Sequence, residues 1–402
     1  MLSPNQRDIV TACVPALRAH GQVLTRNFYD RLFTAHPALR NVFNMSHQAT
    51  GEQQQALAMA VLAYAQNIND PSVLGGALGV IAAKHASMGI RAEHYPLVGT
   101  HLLAAIEEVM GEAATQELLD AWAAAYDQLA ALLIDAESTL YREAAAAPGG
   151  WSGWRPFRAT RLERESATIL SIYLQPTDGG PLPPFKPGQF VSVRRIDESG
   201  MAQVRQYSLS DAPGRSHLRI TVKREDALTD APAGIMSNIL HEVTFTDDIL
   251  ELSFPQGDFT ADTSVSTPIV LLSAGVGITP MLGIAEHVLD TQPERRVYFY
   301  HATRDRHSHA MGSWLRAKAM AHGSLRARIF YEAVTEGDVQ GVHYDEEGRM
   351  DAKLLGRLPE LADADYYVCG PRGFMAAQIQ ALKGVGVDAR RIQAEVFGST
   401  LA

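Results

Sequence analysis

The chain has 402 residues, of which 46% are hydrophobic and 20% charged, and its formal net charge is −10. This length predicts about two to four domains, each with enough apolar residues for a core, and the acidic balance argues against general binding to nucleic acid or anionic membranes. Because the sequence shows no apolar run of about eighteen residues, no secretory leader and no disulfide framework around Cys13 and Cys369, we expect a cytoplasmic protein without a membrane span.

Residues 1–147 form the first predicted domain, and they predict helices throughout. Apolar residues recur at intervals of three and four in segments such as EQQQALAMAVLAYAQNI and TQELLDAWAAAYDQLAALLIDAESTLY, which is the spacing of one helix face. The segment APGGWSGWRPF, rich in Pro, Gly and Trp, then indicates a junction between domains. We therefore expect an all-α domain followed by a change of fold.

Residues 148–264 form the second predicted domain, in which the hydrophobic period changes to two. Segments rich in Val, Ile, Tyr and Thr follow one another, separated by turn residues: ATILSIYLQP, PGQFVSVRR, VRQYSLS, HLRITVKRE and DILELSFP. This pattern predicts closely spaced strands in a small antiparallel β-barrel, with MSNILHEV as its one short helix.

Residues 265–402 form the third predicted domain, in which strands and helices alternate. The continuous apolar strand TPIVLLSAG is followed by a helix around PMLGIAEHVLD, and the later strands are RRVYFYHAT, ARIFYEA, ADYYVCGP and RIQAEVFG. Such alternation is typical of an α/β domain whose parallel sheet is covered on both faces.

A histidine stands out in the segment GVIAAKHASMGI of the helical domain. Leu78, Ile81, His85 and Met88 recur at helical spacing, so His85 is predicted to lie on the buried stripe of a helix that Gly89 ends. The imidazole could be a core histidine satisfied by a neighbour, or it could be a metal ligand. The helix alone leaves both interpretations open.

Four short motifs follow in order through the second and third domains. In SAGVGITP, Gly275 and Gly277 would let the chain turn tightly between a strand and a helix, whose first N–H groups favour a pyrophosphate. In RQYSLS, alternation puts Arg205 and Tyr207 on one face of a strand, where they would suit an anion and a planar ring. CGPRGFM and EVFG stand at later strand ends. Each motif alone is equally compatible with an ordinary turn or a polar edge strand.

In chain order the motifs are RQYSLS, SAGVGITP, CGPRGFM and EVFG. This ordered set resembles the ferredoxin–NADP reductase superfamily, in which a flavin barrel precedes a nicotinamide domain. The resemblance implies that NAD(P)H is held by two turns: Ala274, Gly275, Val276, Gly277, Ile278, Thr279, Cys369, Gly370 and Pro371. It implies that FAD is held by barrel strands and by the last strand end: Phe190, Arg205, Gln206, Tyr207, Ser208, Glu395, Val396, Phe397, Gly398 and Ser399. Arg205 would bind the FAD pyrophosphate, Tyr207 would stack on the isoalloxazine, and Ser208 would hydrogen-bond near its N5.

The helical domain carries residues in the pattern of a haem pocket. They lie in FYDRLF, NVFNMS, GEQQQALAMA, KHAS, HYPLVG and the last long helix: Phe28, Tyr29, Phe43, Gln53, Leu57, Lys84, His85, Tyr95 and Glu137. Together with the reductase motifs, these segments resemble the flavohaemoglobins over essentially the whole chain.

The flavohaemoglobin resemblance implies roles around a haem b group. His85 would be the proximal iron ligand, with Tyr95 and Glu137 hydrogen-bonded behind it, because an anionic partner on the other ring nitrogen makes imidazole a stronger donor. Tyr29 and Gln53 would act on the distal side. The remaining residues implied at the haem are Phe28, Phe43, Leu57 and Lys84, of which Lys84 would also lie near Glu395 at the haem–flavin contact. Taken singly, a core tyrosine at position 29 and solvated side chains at positions 53 and 137 remain alternatives.

The resemblance implies a nitric oxide dioxygenase, in which NAD(P)H reduces FAD, FAD reduces haem, and ferrous-oxy haem oxidises nitric oxide to nitrate. The implied partners are nitric oxide, dioxygen and NAD(P)H, with no nucleic acid, and we expect a monomer. An alternative is the reduction of alkyl or lipid hydroperoxides, or anaerobic nitric oxide reduction, which a lipid in the haem pocket would favour. An oxygen or redox sensor is a third possibility, but we expect no segment to be left over for an output domain.

Phe190 in PGQF departs from the family pattern, which usually has tyrosine there. Its ring can still pack on FAD, and the lost hydroxyl hydrogen bond would cost about 0.5–1.5 kcal/mol.

Arg304 and Arg306 leave two interpretations for the nicotinamide cofactor. They could meet a 2′-phosphate, which would favour NADPH, or they could be solvated loop charges.

Overall fold

A computed structural model of the chain describes residues 2–41, 48, 51–196, 202–227, 233–242, 244–351 and 363–397. Phe43, Gly398 and Ser399, which the resemblance assigns to the haem and FAD sites, lie outside the described residues. The described chain folds as a helical domain, an antiparallel β-barrel and a parallel α/β domain, in that order. The predicted fold class is therefore confirmed.

The first domain consists of helices that share one apolar core. Its helices are α1 (Pro4–Ala12), α2 (Val14–Ala35), α3 (Glu52–Gln66), α4 (Gly75–Met88), α5 (Tyr95–Met110) and α6 (Gln116–Ala146). Ser3 and Gln6 form a reciprocal capping box at the start of α1, and Thr115 accepts a hydrogen bond at the start of α6. Residues from α2, α5 and α6 meet in the core: Leu24, Phe28, Leu32, Ile106 and Trp122.

Helix α4 ends where the sequence predicts, because Gly89 adopts a φ of 78° and closes the last turn. The prediction of its buried face was wrong. The predicted stripe of Leu78, Ile81, His85 and Met88 is only half-buried. The fully buried residues are small: Ala82, Ala83, Ala86 and Ser87. Small side chains let the backbone of α4 approach α6 and the barrel closely, so the small-residue face is the one packed against protein.

No single helix among the described residues is both long and apolar enough to cross a membrane. The segments Pro71–Met88 and Ala92–Ala113 meet these criteria only as a pair, with a bend of 100° between them.

The second domain is an antiparallel barrel. Its strands are β1 (Arg155–Arg164), β2 (Ile169–Pro176), β3 (Phe190–Ile196), β4 (Ala202–Ser208), β5 (Leu218–Lys223) and β6 (Ile249–Leu252). They pair in the order β4-β3-β6-β1-β2-β5, and a bridge between Leu209 and Ile220 brings the end of β4 back to β5. The predicted short helix is α7 (Ile235–Glu242). Inward-facing residues fill the barrel: Phe157, Ile172, Val193, Ile220 and Leu250.

The third domain is built on a parallel sheet. Its strands are β7 (Ile269–Ala274), β8 (Val297–Thr303), β9 (Leu325–Tyr331), β10 (Glu346–Glu347), β11 (Asp365–Cys369) and β12 (Ile392–Glu395), and its helices are α8 (Ile278–Thr291), α9 (Gly312–Ala321) and α10 (Arg372–Gly384). The strand order is β10-β9-β8-β7-β11-β12, and apolar clusters cover both faces. The order reverses at β7, so the carboxyl ends of β7 and β11 border a crevice suited to a ligand.

The junction between the first two domains is held by aromatic and charged residues. Trp151 packs on Phe157 and Phe254, and Arg155 donates to the carbonyl of Gly149. The predicted boundary at 147/148 falls between α6 and β1, and that at 264/265 falls between β6 and β7. Both boundaries stay predictions.

Candidate functional site

His85, Tyr95 and Glu137 are brought together from three helices, α4, α5 and α6. His85 Nδ1 lies 2.8 Å from Glu137 Oε1 and 3.2 Å from the Tyr95 hydroxyl, which donates to the same carboxylate oxygen at 2.5 Å. The side chain of Glu137 is 2% exposed, whereas that of His85 is 30% exposed. Among the described residues, no group hydrogen-bonds the other ring nitrogen, Nε2. A carboxylate on Nδ1 fixes the tautomer that leaves the Nε2 lone pair available, so this imidazole fits a haem ligand.

Residues that the sequence analysis did not identify hold this group in place. Tyr126 donates to the carbonyl of Tyr95 at 2.6 Å. Gly99 makes room for Tyr126, because a Cβ there would lie 2.6 Å from its ring. Burial, together with the hydrogen bond and charge of Glu137, raises the pKa of Tyr95 well above its usual value. Tyr95 therefore keeps its proton and acts as a donor to Glu137.

Tyr29 and Gln53 are linked through Gln48, a residue that the sequence analysis missed. Tyr29 is buried beside Phe28, with ring centroids 4.8 Å apart, and its hydroxyl bonds the Gln48 side chain. Gln48 Nε2 donates to Gln53 Oε1 at 3.1 Å. Burial raises the pKa of Tyr29, so its phenol stays protonated. Leu57 packs against the same core one turn along α3 from Gln53. The glutamine run around position 53 was the only sequence signal for this polar group.

Phe190 and Ser208 face each other across the first pair of the β3–β4 ladder. Phe190 is buried, and its ring lies against Gly257, where a Cβ would be 2.9 Å from the ring and where φ is 114°. Only glycine tolerates both conditions at this position. The ring of Phe190, which departs from the family pattern, is therefore fixed by its contact with Gly257.

Arg205, Gln206 and Tyr207 point in alternating directions from β4. Arg205 Nη1 donates to the carbonyl of Val204 at 2.7 Å, and burial lowers the pKa of this guanidinium. Tyr207 packs against the barrel core, and burial raises its pKa. Gln206 instead reaches the helical domain, where its Nε2 donates to Ser87 Oγ at 2.9 Å. The motif thus joins the candidate flavin surface to the helix that carries His85.

Lys84 and Glu395 act on each other electrostatically, although they belong to the first and third domains. Burial lowers the pKa of Lys84, and the charge of Glu395 opposes that shift. Burial raises the pKa of Glu395, which the charge of Lys84 opposes and that of Asp258 reinforces. After Glu395, Val396 packs on the α/β core and Phe397 is exposed.

The two turns predicted for the nicotinamide cofactor lie side by side. Gly275 has a φ of 54°, and α8 begins at Ile278, where Thr279 Oγ1 donates to the carbonyl of Val276. A Cβ on Gly277 would overlap the carbonyl oxygen of Cys369 and lie 2.7 Å from the nitrogen of Gly370. Gly277 is therefore needed for packing of the second turn against the first. The remaining predicted residues border these turns: Ala274 ends β7, and Pro371 precedes α10.

Beneath these turns lies a buried polar row that the sequence analysis missed. Cys369, Ser273 and His301 are neighbours in register on β11, β7 and β8. His301 Nδ1 lies 2.9 Å from Ser273 Oγ, and its ring stacks on that of His309. Burial raises the pKa of the Cys369 thiol, and it lowers the pKa of His309 to about 4, with the charge of Arg316 contributing. His309 Nδ1 is 2.9 Å from the Tyr331 hydroxyl.

Two family models match separate parts of the chain. The globin model matches residues 26–133, and the oxidoreductase NAD-binding domain model matches residues 271–380. The first match contains His85 and Tyr95 and stops just before Glu137. The second contains both turns at the carboxyl ends of β7 and β11. The two models therefore fall on the helical domain and the α/β domain, on either side of the barrel.

Relatives and solved structures match over much longer stretches. The flavohemoprotein of Chromobacterium violaceum is 53% identical over 99% of both chains, and that of Bordetella pertussis is 52% identical over 99% of both chains. A crystal structure of flavohemoglobin from Malassezia yamatoensis with bound FAD and heme is 27% identical, with a TM-score of 0.85, and the match covers 99% of this chain and 100% of that one. The FAD/NAD-binding domain of nitric oxide dioxygenase from Vibrio cholerae is 34% identical, with a TM-score of 0.54, over 61% of this chain and 98% of that one. Identity at this level along almost the entire length shows that the chain belongs to the flavohemoprotein family.

Proposed function

We propose that this protein is a nitric oxide dioxygenase that uses NAD(P)H and dioxygen to convert nitric oxide to nitrate. The observation that carries the proposal is His85, whose Nδ1 is held by Glu137 and whose Nε2 has no protein partner among the described residues. Its cofactors are haem b, FAD and NADH or NADPH. When bound, they supply hydride transfer to the flavin, single-electron transfer to the iron and activation of dioxygen.

His85 and Glu137 serve as the proximal pair in this proposal. The carboxylate accepts a hydrogen bond from Nδ1–H, which would leave the Nε2 lone pair free to hold a haem iron. A histidine made more electron-rich in this way would favour cleavage of an O–O bond over oxygen storage when haem is bound. Tyr95 restrains the carboxylate through its hydrogen bond at 2.5 Å. This arrangement supports an oxidative reaction rather than oxygen carriage.

Tyr29 and Gln53 serve on the distal side, where Phe28 and Leu57 restrict the space. The raised pKa of Tyr29 keeps its hydroxyl protonated at neutral pH, so the side chain can donate to a polar ligand. Gln48 holds both polar side chains by hydrogen bonds. Gln48 therefore orders both the Tyr29 hydroxyl and the Gln53 amide beside the apolar side chains of Phe28 and Leu57.

The reductase residues keep the roles that the resemblance implies, with Arg205, Tyr207, Ser208 and Phe190 at FAD and the paired glycine turns at NAD(P)H. The proposal also keeps the domain limits of 1–147, 148–264 and 265–402, and a monomer in the cytoplasm. The positions of the globin and NAD-binding models within the first and third ranges support these limits. Lys84 and Glu395 would lie where the haem and flavin sites approach each other.

The first test is the absorption spectrum of protein purified from cells that make haem, before and after NADH is added without oxygen. We expect a Soret band that shifts to the ferrous form, followed by NADH-dependent consumption of nitric oxide in air, measured with an electrode. A protein that reduces its haem yet leaves nitric oxide unconsumed in air would contradict the proposal.

A matched pair of variants shows whether His85 carries the function. His85→Ala should lose the Soret band and nitric oxide consumption while it keeps the flavin spectrum. His20→Ala removes an exposed histidine of the same domain and should change neither. Retention of a normal Soret band in His85→Ala would mean that His85 is a core histidine.

Reduction of organic hydroperoxides is a second candidate function. The pairing of His85 with a buried carboxylate favours it, because the same electron donation promotes O–O cleavage in peroxidases. Turnover of cumene hydroperoxide and of nitric oxide can be compared at equal NADH. Faster hydroperoxide turnover would make this second function the principal one.

A further inference from the structure

We infer that Ser87 is a positioning residue for electron transfer, because its hydroxyl ties the helix of the proximal histidine to the strand that bears the flavin motif. Ser87 lies two residues after His85, and its hydroxyl faces the barrel. Its side chain is 1% exposed. The inference rests on the proposed function, since it concerns the delivery of electrons from the flavin to the haem.

The Ser87 hydroxyl uses its full hydrogen-bonding capacity across the contact between domains. It donates to the carbonyl of Lys84 at 2.8 Å, and it accepts from Ser192 Oγ and from Gln206 Nε2, each at 2.9 Å. A hydroxyl has one hydrogen and two lone pairs, so all three are occupied. A single oxygen thereby joins α4 to both β3 and β4.

The three hydrogen-bond partners of Ser87 lie in, or next to, the segments proposed to bind FAD and haem. Gln206 lies between Arg205 and Tyr207, the proposed FAD residues. The carbonyl of Lys84 belongs to the peptide bond whose nitrogen is that of His85. Ser192 is itself fixed, because its backbone N–H donates to Ser253 Oγ at 2.8 Å. Two hydrogen bonds and one peptide bond thus connect the flavin motif to the proximal histidine residue.

Loss of this hydroxyl would loosen the contact without removing any cofactor ligand. In Ser87→Ala the buried hydroxyl of Ser192 and the half-buried amide of Gln206 would lose their acceptor, and a buried donor is costly to leave unpaired. The two side chains would turn or admit water, and α4 would shift against β4. Because electron delivery depends on this spacing, the haem should be reduced more slowly although the flavin is reduced normally.

The test uses the full-length protein loaded with haem and FAD, mixed with NADH in a stopped-flow instrument without oxygen. In Ser87→Ala, reduction of haem should slow by about tenfold, a smaller loss than the roughly hundredfold that a 1 Å misplacement can cause at a reacting centre. Reduction of the flavin by NADH should stay at the wild-type rate. Hydrogen exchange provides a second readout, in which the amides of residues 84–90 and 203–208 should exchange faster in the variant.

Ser171→Ala is the matched control. Ser171 is a fully buried serine of the barrel, and its Oγ lies 2.9 Å from Thr221 Oγ1 on the neighbouring strand. Its loss should lower stability to a similar degree but leave both the rate of haem reduction and exchange at residues 84–90 unchanged. A slowing of haem reduction equal to that of Ser87→Ala would overturn the inference, because it would show a general effect of instability.

A double-mutant cycle with Gln206→Ala tests whether Ser87 acts through its hydrogen bond with Gln206. If Ser87 acts through Gln206, the double variant should reduce its haem no more slowly than the slower single variant. If the fold-changes of the two single variants multiply in the double variant, the two residues act independently, and this part of the inference is overturned. Failure of all variants to consume nitric oxide, with the haem-reduction differences intact, would contradict only the proposed function. Wild-type haem that NADH cannot reduce would overturn both.

Discussion

Glu137 serves two donors with one oxygen, since Oε1 accepts from Tyr95 and from His85 while Oε2 is buried without a partner among the described residues. A buried carboxylate with one oxygen unpaired is costly to stability, so its presence here points to a use for the charge. Here the charge lies against His85 Nδ1, whereas Nε2 is the nitrogen proposed to bind the metal. We therefore expect Glu137 to set the electron density of the imidazole rather than the stability of the helices.

Glu137→Gln tests this expectation, because it keeps the shape and removes the charge. The haem midpoint potential should become more positive, and nitric oxide turnover should fall by about 10- to 100-fold, the usual loss when a partner of a metal ligand is removed. Spectroelectrochemical titration and an electrode assay measure the two effects. Glu143→Gln, on an exposed face of the same helix, should change neither. An unchanged potential in Glu137→Gln would refute the role.

The buried imidazole of His309 should make the free energy of unfolding depend on pH. Burial lowers its pKa to about 4 in the folded protein, whereas an unfolded histidine has a pKa of about 6.5. Its contribution to stability is therefore complete above pH 6.5 and is lost as the pH falls toward 4, because the unfolded chain binds the proton more tightly. Between pH 7 and pH 5 the free energy of unfolding should fall by about 2 kcal/mol from this residue.

Denaturant unfolding of the wild type and of His309→Gln at both pH values checks this prediction. Glutamine keeps a hydrogen-bonding group near the Tyr331 hydroxyl but does not titrate. The variant should show a smaller loss of stability on acidification than the wild type. The same pH dependence in both proteins would mean that other groups, such as the buried His301, carry the effect.

At the scale of elements, the paired turns after β7 and β11 depend on Gly277. Gly277→Ala would place a Cβ against the carbonyl of Cys369, and such overpacking costs about 1–3 kcal/mol. We expect a higher KM for NADH and a lower unfolding midpoint, with haem and FAD content unchanged. Gly384→Ala, at the end of α10, adds a Cβ in open space, so it should neither raise the KM nor lower the unfolding midpoint. Normal NADH kinetics in Gly277→Ala would contradict this role for the close contact.

The elements themselves were predictable from the sequence because each has a local signature. The change of hydrophobic period from three-and-four to two marks the step from α6 to β1, and the glycine at position 89 marks the end of α4. The buried face of α4 was not predictable in the same way. Alanine and serine give a weak hydrophobic signal, yet Ala82, Ala86 and Ser87 are buried because their small size permits close packing. The larger Leu78 and Ile81, from which the buried face was predicted, are half-buried.

At the scale of the whole molecule, the sequence predicted the order of the domains but not how they touch. Motifs such as RQYSLS and SAGVGITP are contiguous, so their spacing can be read directly. Ser87 and Ser192 are ordinary serines in sequence, and only the fold brings their hydroxyls to 2.9 Å. The same holds for Gln48, which links Tyr29 to Gln53. Residues that connect segments distant in sequence carry no local pattern by which they could be recognised.

The mutual influence of Lys84 and Glu395 has a consequence for biosynthesis. A chain emerges from the ribosome from its N-terminus, and domains generally fold as they emerge. The helical domain can therefore fold long before β12 has been translated. In that interval Lys84 lacks the charge of Glu395, so the electrostatic contact between the first and third domains can form only after the final strand has been translated.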